Sequence, residues 1–547
     1  MTLLDPLTIG GTLQAAAQRW PEGEALVMDG RRLTWAGLWD EAVRHAQALV
    51  GLGIRPGQHV ALLIPNSIDY AVLIHATALI GATVLTINAR YRDDELRYVL
   101  AHSDADALII GGHALAHHDY RTMLGRIYPE LADWQQGTPL QLAAAPRLRL
   151  IVNLEDPRET RWPTRATLDA TAATVETGEV MARAAAVRGD DIAIMMFSSG
   201  TTAYPKACML PHACLARTAA ALADRFRLTA ADRIFDPLPF FHMSTMLPMA
   251  ACRASGATFV GRLHFDAGEA LAVMEEERIT FSYASFPTMM SAIVAHPDFP
   301  RRDLSRIRLV HAVGPADLLR RYSAAFPQAF LANAYGLTEA TGVPVYNELT
   351  DPQELAFSVS GRPFPGIGIQ VVDVETLEPL PPGERGEIWL RGYAIFAGYY
   401  NDPEATARTL RPDGWLRTGD IGSLDPDGRI RYEGRLKDML KIGGENVAAV
   451  EIESYLCTHP DILVAQVVGV PDDHYLEVAA AYVQLRDGSS LTPEEVVRYC
   501  LGKIATFKIP RYVRMVTEWP MSATKIQKFQ LLKSFVPDGK IDPRAMR

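Results

Sequence analysis

Cysteine is scarce in this chain. Its 547 residues include five, Cys208, Cys214, Cys252, Cys457 and Cys500. They are widely spaced, odd in number and form no Cys-x-x-Cys pair, so neither a disulfide framework nor a zinc site is expected, and a cytoplasmic location suits them. Positive charge is not in excess either. The formal net charge is −10 with a pI near 5.8, which argues against nucleic acid or an anionic membrane as a partner. No apolar run is long enough to span a bilayer: the most apolar stretch, Ala71 to Ile87, is interrupted by His75, Thr77 and Gly81, so no integral membrane segment is expected. The opening Met-Thr-Leu-Leu-Asp-Pro lacks the basic and long apolar segments of a secretory signal. The phosphate-loop pattern Gly-x4-Gly-Lys-Ser/Thr is missing as well, so any polyphosphate must be held by some other device.

What is present is a globular composition, with 48% hydrophobic and 22% charged residues, in a chain too long for one core. Thr34 reads as a helix N-cap, Leu38, Ala42, His45 and Leu49 keep helical spacing, and Gly53 stands where a C-cap glycine belongs. A strand from Val60 to Ile64 follows, Pro65-Asn66-Ser67 opens the next helix, and Ala71 to Ile87 reads as a buried helix running into a strand. This alternation predicts βαβ crossovers and a largely parallel sheet covered on both faces. Further strands are expected near Leu148 to Leu154, Ile192 to Phe197, Ala257 to Val260, Phe281 and Val310, with helices near Ala213 to Phe226 and Ala267 to Glu277. Beyond Gly361, short strands and turns predict a small β subdomain. After Gly434-Arg435 the texture changes again, to a helix near Val450 to Leu456, strands Ile462 to Val470 and Val478 to Leu485, a helix from Pro493 to Ile504 and a strand near Arg511 to Val516. The expected fold is α/β. Residues 1–434 form a large N-terminal domain of doubly wound sheets plus the β subdomain, and residues 435–547 form a small α+β C-terminal domain.

Five stretches carry chemistry. The strand Ile192 to Phe197 empties into Ser198-Ser199-Gly200-Thr201-Thr202, followed by Pro205-Lys206. Hydroxyls and backbone N–H groups can converge there on phosphate oxygens, Gly200 permits close approach and Lys206 adds a mobile positive charge; an ordinary surface turn has the same composition. Tyr335-Gly336-Leu337-Thr338-Glu339 sets an aromatic face, a hydroxyl and a carboxylate side by side, or simply ends a strand in a capped turn. Asp420 closes Gly414-Trp415-Leu416-Arg417-Thr418-Gly419-Asp420, shortly before Gly434-Arg435-Leu436-Lys437-Asp438; alone it reads equally as an Asx turn. Near the end stands Pro520-Met521-Ser522-Ala523-Thr524-Lys525-Ile526-Gln527-Lys528, whose lysines taken singly would be solvated surface groups.

Taken in this order, five motifs over essentially the whole chain resemble those of the adenylate-forming enzymes: acyl-CoA synthetases, firefly luciferase and the adenylation domains of peptide synthetases. The likeness is greatest to an acyl-CoA synthetase. It implies that Ser198, Ser199, Gly200, Thr201, Thr202 and Lys206 grip the phosphates of ATP. Tyr335 then lies against adenine, Gly336 belongs to the same ATP-binding set, Thr338 contacts the α-phosphate, Glu339 helps hold Mg²⁺, and Asp420 binds the ribose hydroxyls beside Arg435. Lys525 is the residue that reaches the carboxylate and α-phosphate, with Lys528 a minor rival by register. Lys437 is the hinge of a mobile C-terminal domain, and Gly443, Gly444 and Glu445 belong to the segment exchanged for the lysine loop when CoA binds. Catalysis is thereby implied for Lys206, Thr338, Glu339 and Lys525. The chain departs from the family pattern at Ala203 and Ala207, commonly glycine, in the missing glycine before Lys525, and at Ala312-Val313-Gly314-Pro315-Ala316.

The implied reaction has two steps. A carboxylate oxygen attacks the α-phosphorus of ATP, giving acyl-adenylate and pyrophosphate, and a thiolate then attacks the acyl carbon and releases AMP. The resemblance places the acyl pocket on Phe241 to Met246, Ser285 to Met290, His311 to Pro315 and Gly342-Val343, with Phe241, His242, Met246 and Gly314 singled out. These segments contain no lysine or arginine, so a second substrate carboxylate would be buried unpaired. Met243, Met246, Met289 and Met290 suit an apolar tail of variable shape, or serve as core filler. The expected substrate is a medium-sized apolar acid, aromatic, alicyclic or medium-chain aliphatic, with ATP and CoA as co-substrates. An acyl-AMP ligase serving a carrier protein and a catalytically silent nucleotide-binding regulator are the competing readings. The sequence leaves the oligomeric state open, a homodimer being one option.

Overall fold

The computed structural model describes residues 3–546 apart from 112–118, 135–137, 155–161, 199–204, 443–444, 473–474, 522–525 and 544, and gives only the backbone for residues 445, 446 and 476. Two seven-stranded sheets dominate. One runs in the order Phe330–Ala332, Leu309–Ala312, Phe281–Ser285, Arg233–Asp236, Thr258–Gly261, Glu24–Met28, Arg31–Thr34. The other runs Gly398–Tyr399, Lys206–Pro211, Ile192–Ser198, Thr83–Thr86, His59–Leu63, Ala107–Ile110, Leu150–Asn153. Most neighbours are parallel, as expected from the βαβ pattern; the exceptions include Arg31–Thr34 and the strands on either side of Lys206–Pro211.

The helices sort into layers. Those over Ile9–Arg19, Trp35–Gly51, Ile68–Leu79, His212–Arg225 and Met243–Ser255 share one core with a face of each sheet, so they lie between the sheets. The helix Ile68–Leu79 is buried all round except at Asp69, which accounts for its nearly unbroken apolar sequence. It begins at Ser67, whose side chain accepts the Tyr70 N–H, just as Thr34 caps the helix Trp35–Gly51 by accepting from Gly37. Separate cores cover the outer faces, one with the helices Asp93–His102 and Tyr120–Ile127 and the other with Ala267–Glu276, Pro287–Ala295 and Ala316–Ala325.

Next come a three-stranded sheet, Ala334–Leu337, Gly342–Tyr346 and Arg362–Pro363, and a four-stranded antiparallel sheet, Ile367–Val372, Arg385–Gly392, Leu416–Leu424 and Ile430–Arg435. The C-terminal part is a five-stranded sheet with the helices Ala449–Leu456, Pro493–Cys500 and Lys528–Lys533, and its cores contain residues from Leu440 onward. A large N-terminal α/β domain followed by a small α+β domain is thus the observed architecture.

Two elements differ from expectation. Lys206–Pro211 is a strand that folds back antiparallel on Ile192–Ser198, where only a loop leading into a helix was foreseen. The helix beginning at Pro493 ends at Cys500 instead of Ile504, because Gly502 adopts a left-handed φ of 70° just beyond it. Among the described residues no helix is long and apolar enough to cross a membrane.

Candidate active site

The site begins at a hairpin base. Ser198 pairs with Lys206 across the two antiparallel strands, and its hydroxyl donates to the Lys206 carbonyl at 3.4 Å. The intervening Ser199, Gly200, Thr201 and Thr202 lie outside the described residues. Lys206 Nζ sits 4.9 Å from the centre of the Tyr399 ring, a cation–π distance. Tyr399 reaches this place because its two-residue strand pairs with Met209 and Cys208. Its hydroxyl donates to Glu339 Oε1 at 2.7 Å, so one tyrosine contacts both the expected phosphate lysine and the expected metal carboxylate. Burial, and then the adjacent Glu339, push the Tyr399 phenol far above its ordinary pKa, so it stays a donor. Thr338, Glu339 and Ala340 form a short 3₁₀ turn between Ala334–Leu337 and Gly342–Tyr346. The hairpin is tight: a Cβ on Gly336 would fall 1.9 Å from the Gly342 carbonyl oxygen, so only glycine fits.

A second group of residues meets where the three-stranded and four-stranded sheets adjoin. Tyr335, 5% exposed, donates through its hydroxyl to Asp420 Oδ2 at 2.8 Å, and the Tyr432 ring stacks on it at 5.7 Å. Asp420 faces Arg435 on the neighbouring strand, with Nε 3.4 Å from Oδ1. Burial works against the Arg435 charge, but Asp420, Tyr432 and Asp438 outweigh it, and the guanidinium holds its proton more tightly than usual. Behind Asp420 stands Glu387, 2% exposed. It accepts from Trp389 Nε1 at 2.8 Å, the Gly419 N–H at 3.1 Å and Arg417 at 3.2 Å. Thr418 is fixed too, its hydroxyl donating to the Ile388 carbonyl at 2.6 Å and accepting the Asp420 N–H at 3.1 Å.

The expected acyl segments are largely packed. Phe241 and Met246 are 6% and 3% exposed, His242 precedes the helix Met243–Ser255 with its ring 4.7 Å from that of Phe241, and Gly314 is exposed with φ 156°. A Cβ on Gly342, whose φ is 87°, would strike the Met243 side chain at 2.6 Å. Met290 belongs to the outer core with Leu271 and Ile293, apart from the central core that holds Met243 and Met246, and is therefore core filler. His311 packs 4.4 Å from the Tyr283 ring and 5.3 Å from that of Tyr346; burial lowers its pKa to about 4, so it is neutral. The Tyr283 and Tyr346 hydroxyls meet at 2.5 Å.

The C-terminal domain faces this region across a cleft of about 660 Å³, whose walls include Phe286, Pro287, Tyr432, Arg435, Lys437, Glu453 and Lys528. Lys437 is exposed there, in a short 3₁₀ turn. Met439–Ile442 and Glu445–Ala448 form an antiparallel hairpin; Gly443, Gly444 and the Glu445 side chain lie outside the described residues, as does Lys525. The flanks of the Lys525 segment pair with each other, Met521 bridging to Ile526 and the Gln527 N–H donating to the Pro520 carbonyl at 2.7 Å.

Tyr399 and Glu387 were not singled out in the sequence. An aromatic doublet, Tyr399-Tyr400, is the only mark of the first; the second is a glutamate in a strand, with nothing to announce its burial.

The family described as AMP-binding enzyme matches residues 13–400, and its C-terminal domain matches residues 451–525. The protein YngI of Bacillus subtilis (strain 168) is 37% identical over 96% of this chain and 96% of its own length. The medium-chain acyl-CoA ligase ACSF2, mitochondrial, of Rattus norvegicus is 33% identical over 96% of this chain and 87% of its own length. Among solved structures, the anthranilate CoA ligase AuaEII in complex with anthranoyl-AMP superimposes with a TM-score of 0.84, at 26% identity, over 98% of both chains.

Proposed function

This chain belongs to the AMP-binding enzyme family and is an ATP-dependent, AMP-forming acid–CoA ligase, and we propose which residues carry its two half-reactions and which acid it takes. The observation that supports the assignment best is the junction at Tyr399, which draws Lys206 and Glu339 to one point. Joining a carboxylate to a triphosphate brings anions together, so neutralising charge is the protein's main task. Lys206 and the hydroxyl-rich 198–202 segment hold the phosphates, Thr338 the α-phosphate, and Lys525 bridges the α-phosphate and the incoming carboxylate. Tyr335 packs against adenine with Gly336 in the same ATP-binding motif, and Asp420 accepts the ribose hydroxyls with its second partner Arg435 alongside.

Glu339 suits Mg²⁺. It offers one hard oxygen ligand, and among the described residues there is no cluster of three metal-ligating side chains; Mg²⁺ takes few ligands from protein and the rest from phosphate and water. When bound, the ion would offset charge on the phosphates.

For the second half-reaction, residues 435–547 act as a mobile domain turning about Lys437. The lysine loop leaves the site and Gly443, Gly444 and Glu445 take its place beside the pantetheine arm. The acid is medium-sized and apolar, aromatic, alicyclic or medium-chain, since the segments that carry Phe241, His242, Met246 and Gly314 contain no lysine or arginine to pair with a second carboxylate. ACSF2 is a medium-chain ligase and AuaEII an anthranilate ligase, and both acids fall within this range. All five cysteines are free thiols, which fits the cytoplasm.

Mass spectrometry of one mixture tests the proposal: enzyme, ATP, Mg²⁺, CoA and a pool of aromatic, alicyclic and aliphatic acids of graded length, with dicarboxylates included. An acyl-CoA from an apolar monoacid, together with AMP, is expected. AMP without a thioester would shift the acceptor to a carrier protein, and preference for a dicarboxylate would contradict the pocket reading.

A further inference from the structure

The helix Ala449–Leu456 turns a carboxylate inward. Glu453 lies on its buried face with Ala449, Ile452 and Leu456 and is 7% exposed, an unfavourable place for an ion unless it is paired and hydrogen-bonded. Both conditions are met. Its Oε1 accepts the Val467 N–H at 2.7 Å and lies 2.6 Å from Nζ of Lys528.

Lys528 is the first residue of the helix Lys528–Lys533 and stands three positions after Lys525. Just before it, the Met521–Ile526 bridge and the hydrogen bond from Gln527 to Pro520 close the base of the segment that carries Lys525. Glu453, at the other end of the ion pair, sits on the helix that directly follows the hairpin containing Gly443 and Gly444. That helix also abuts the strand leading to Arg435: a Cβ on Gly434 would lie 3.4 Å from Val450 Cγ1.

We propose that Lys528 and Glu453 are positioning residues for adenylation. Their ion pair clamps residues 526–528, the foot of the segment that carries Lys525, to the helix Ala449–Leu456. This rests on the reading of Lys525 as the lysine that reaches the α-phosphate. Lys528 itself, with its ammonium on Glu453, anchors and does not react.

Two half-reactions separate the possibilities: acid-dependent ATP–pyrophosphate exchange for adenylation, and thioester formation from supplied acyl-adenylate and CoA. Lys528→Met is expected to slow exchange about tenfold to a hundredfold, as loss of alignment does, while thioester formation stays within about twofold. Lys528→Arg, which keeps the charge, is expected to recover most of the exchange rate. Glu453→Gln keeps an acceptor for Val467 and protects the fold; it should reproduce the Lys528→Met pattern. The control is Lys525→Ala, expected to abolish exchange and spare thioester formation. If the control splits the half-reactions but Lys528→Met and Glu453→Gln slow both equally, or slow neither, the positioning role is wrong. If Lys525→Ala itself leaves exchange intact, the reading of the lysine loop fails first.

Discussion

Tyr335 donates a 2.8 Å hydrogen bond to Asp420, 85 residues further along the chain, and both are buried, at 5% and 4% exposure. The bond joins the edge of the three-stranded sheet to the four-stranded sheet and fixes the carboxylate that we assign to the nucleotide sugar. A hydrogen bond to a charged group contributes about 1.5–3 kcal/mol. Tyr335→Phe keeps the ring for adenine and removes only the donor, so the KM for ATP should rise about tenfold with a smaller change in kcat, measured by pyrophosphate exchange at varied ATP. An unchanged KM would mean that Arg435 alone aligns Asp420.

Tyr399→Phe removes the donor that holds Glu339 while keeping the aromatic face under Lys206. Partners that orient a metal ligand are typically worth about 10- to 100-fold in metal affinity or activity. Half-saturation by Mg²⁺ should move to a concentration about tenfold higher, read from initial rates at fixed ATP. No shift would argue against Glu339 as a metal ligand.

Glu387 gathers Trp389, Arg417 and the Gly419 N–H behind Asp420. Glu387→Ala leaves these donors without their shared acceptor and should destabilise the protein by about 2 kcal/mol, with a lowered Tm by calorimetry. The KM for ATP should rise with it, because the strand bearing Asp420 loses its anchor. A Tm within about one degree of the parent would show that water replaces the carboxylate at little cost.

Acid should weaken the fold through buried histidines. Burial lowers His311 and His212 from 6.5 to about 4, and burial together with Arg253 lowers His75 from 6.5 to about 3. Between these values the unfolded chain binds protons that the folded chain refuses. The stability contributed is therefore complete above pH 6.5 and is lost progressively as pH falls toward 4. Each such group is worth on the order of 1–2 kcal/mol by about pH 5. The Tm should fall from about pH 7 to pH 5, and His311→Gln should fall less steeply over the same window; an equal slope would place the titration elsewhere.

Much of this was legible in the sequence because it is local. Thr34 and Ser67 cap the helices they precede, and the apolar run after Ser67 is a helix buried on nearly every side. The β texture after Gly361 is present as well, and the motif residues Tyr335, Asp420 and Arg435, far apart in the chain, meet. What could not be read depends on partners far away in the chain. Lys206–Pro211 is a strand because Ile192–Ser198 offers it an antiparallel edge, and a short run behind a serine–threonine turn does not reveal that. Tyr399 meets Glu339, 60 positions earlier. Glu387 looks like a solvated strand position until Trp389 and Arg417 enclose it.

The most direct measurement follows one oxygen atom. The acid is supplied with heavy oxygen in its carboxylate, and the products of a complete reaction with ATP and CoA are weighed. Attack of the carboxylate on the α-phosphorus, followed by attack of the thiolate on the acyl carbon, leaves one labelled oxygen on AMP and none on pyrophosphate. Label in pyrophosphate or phosphate, or AMP free of label, would contradict an acyl-adenylate intermediate and with it the roles given to Lys525, Lys206 and Glu339.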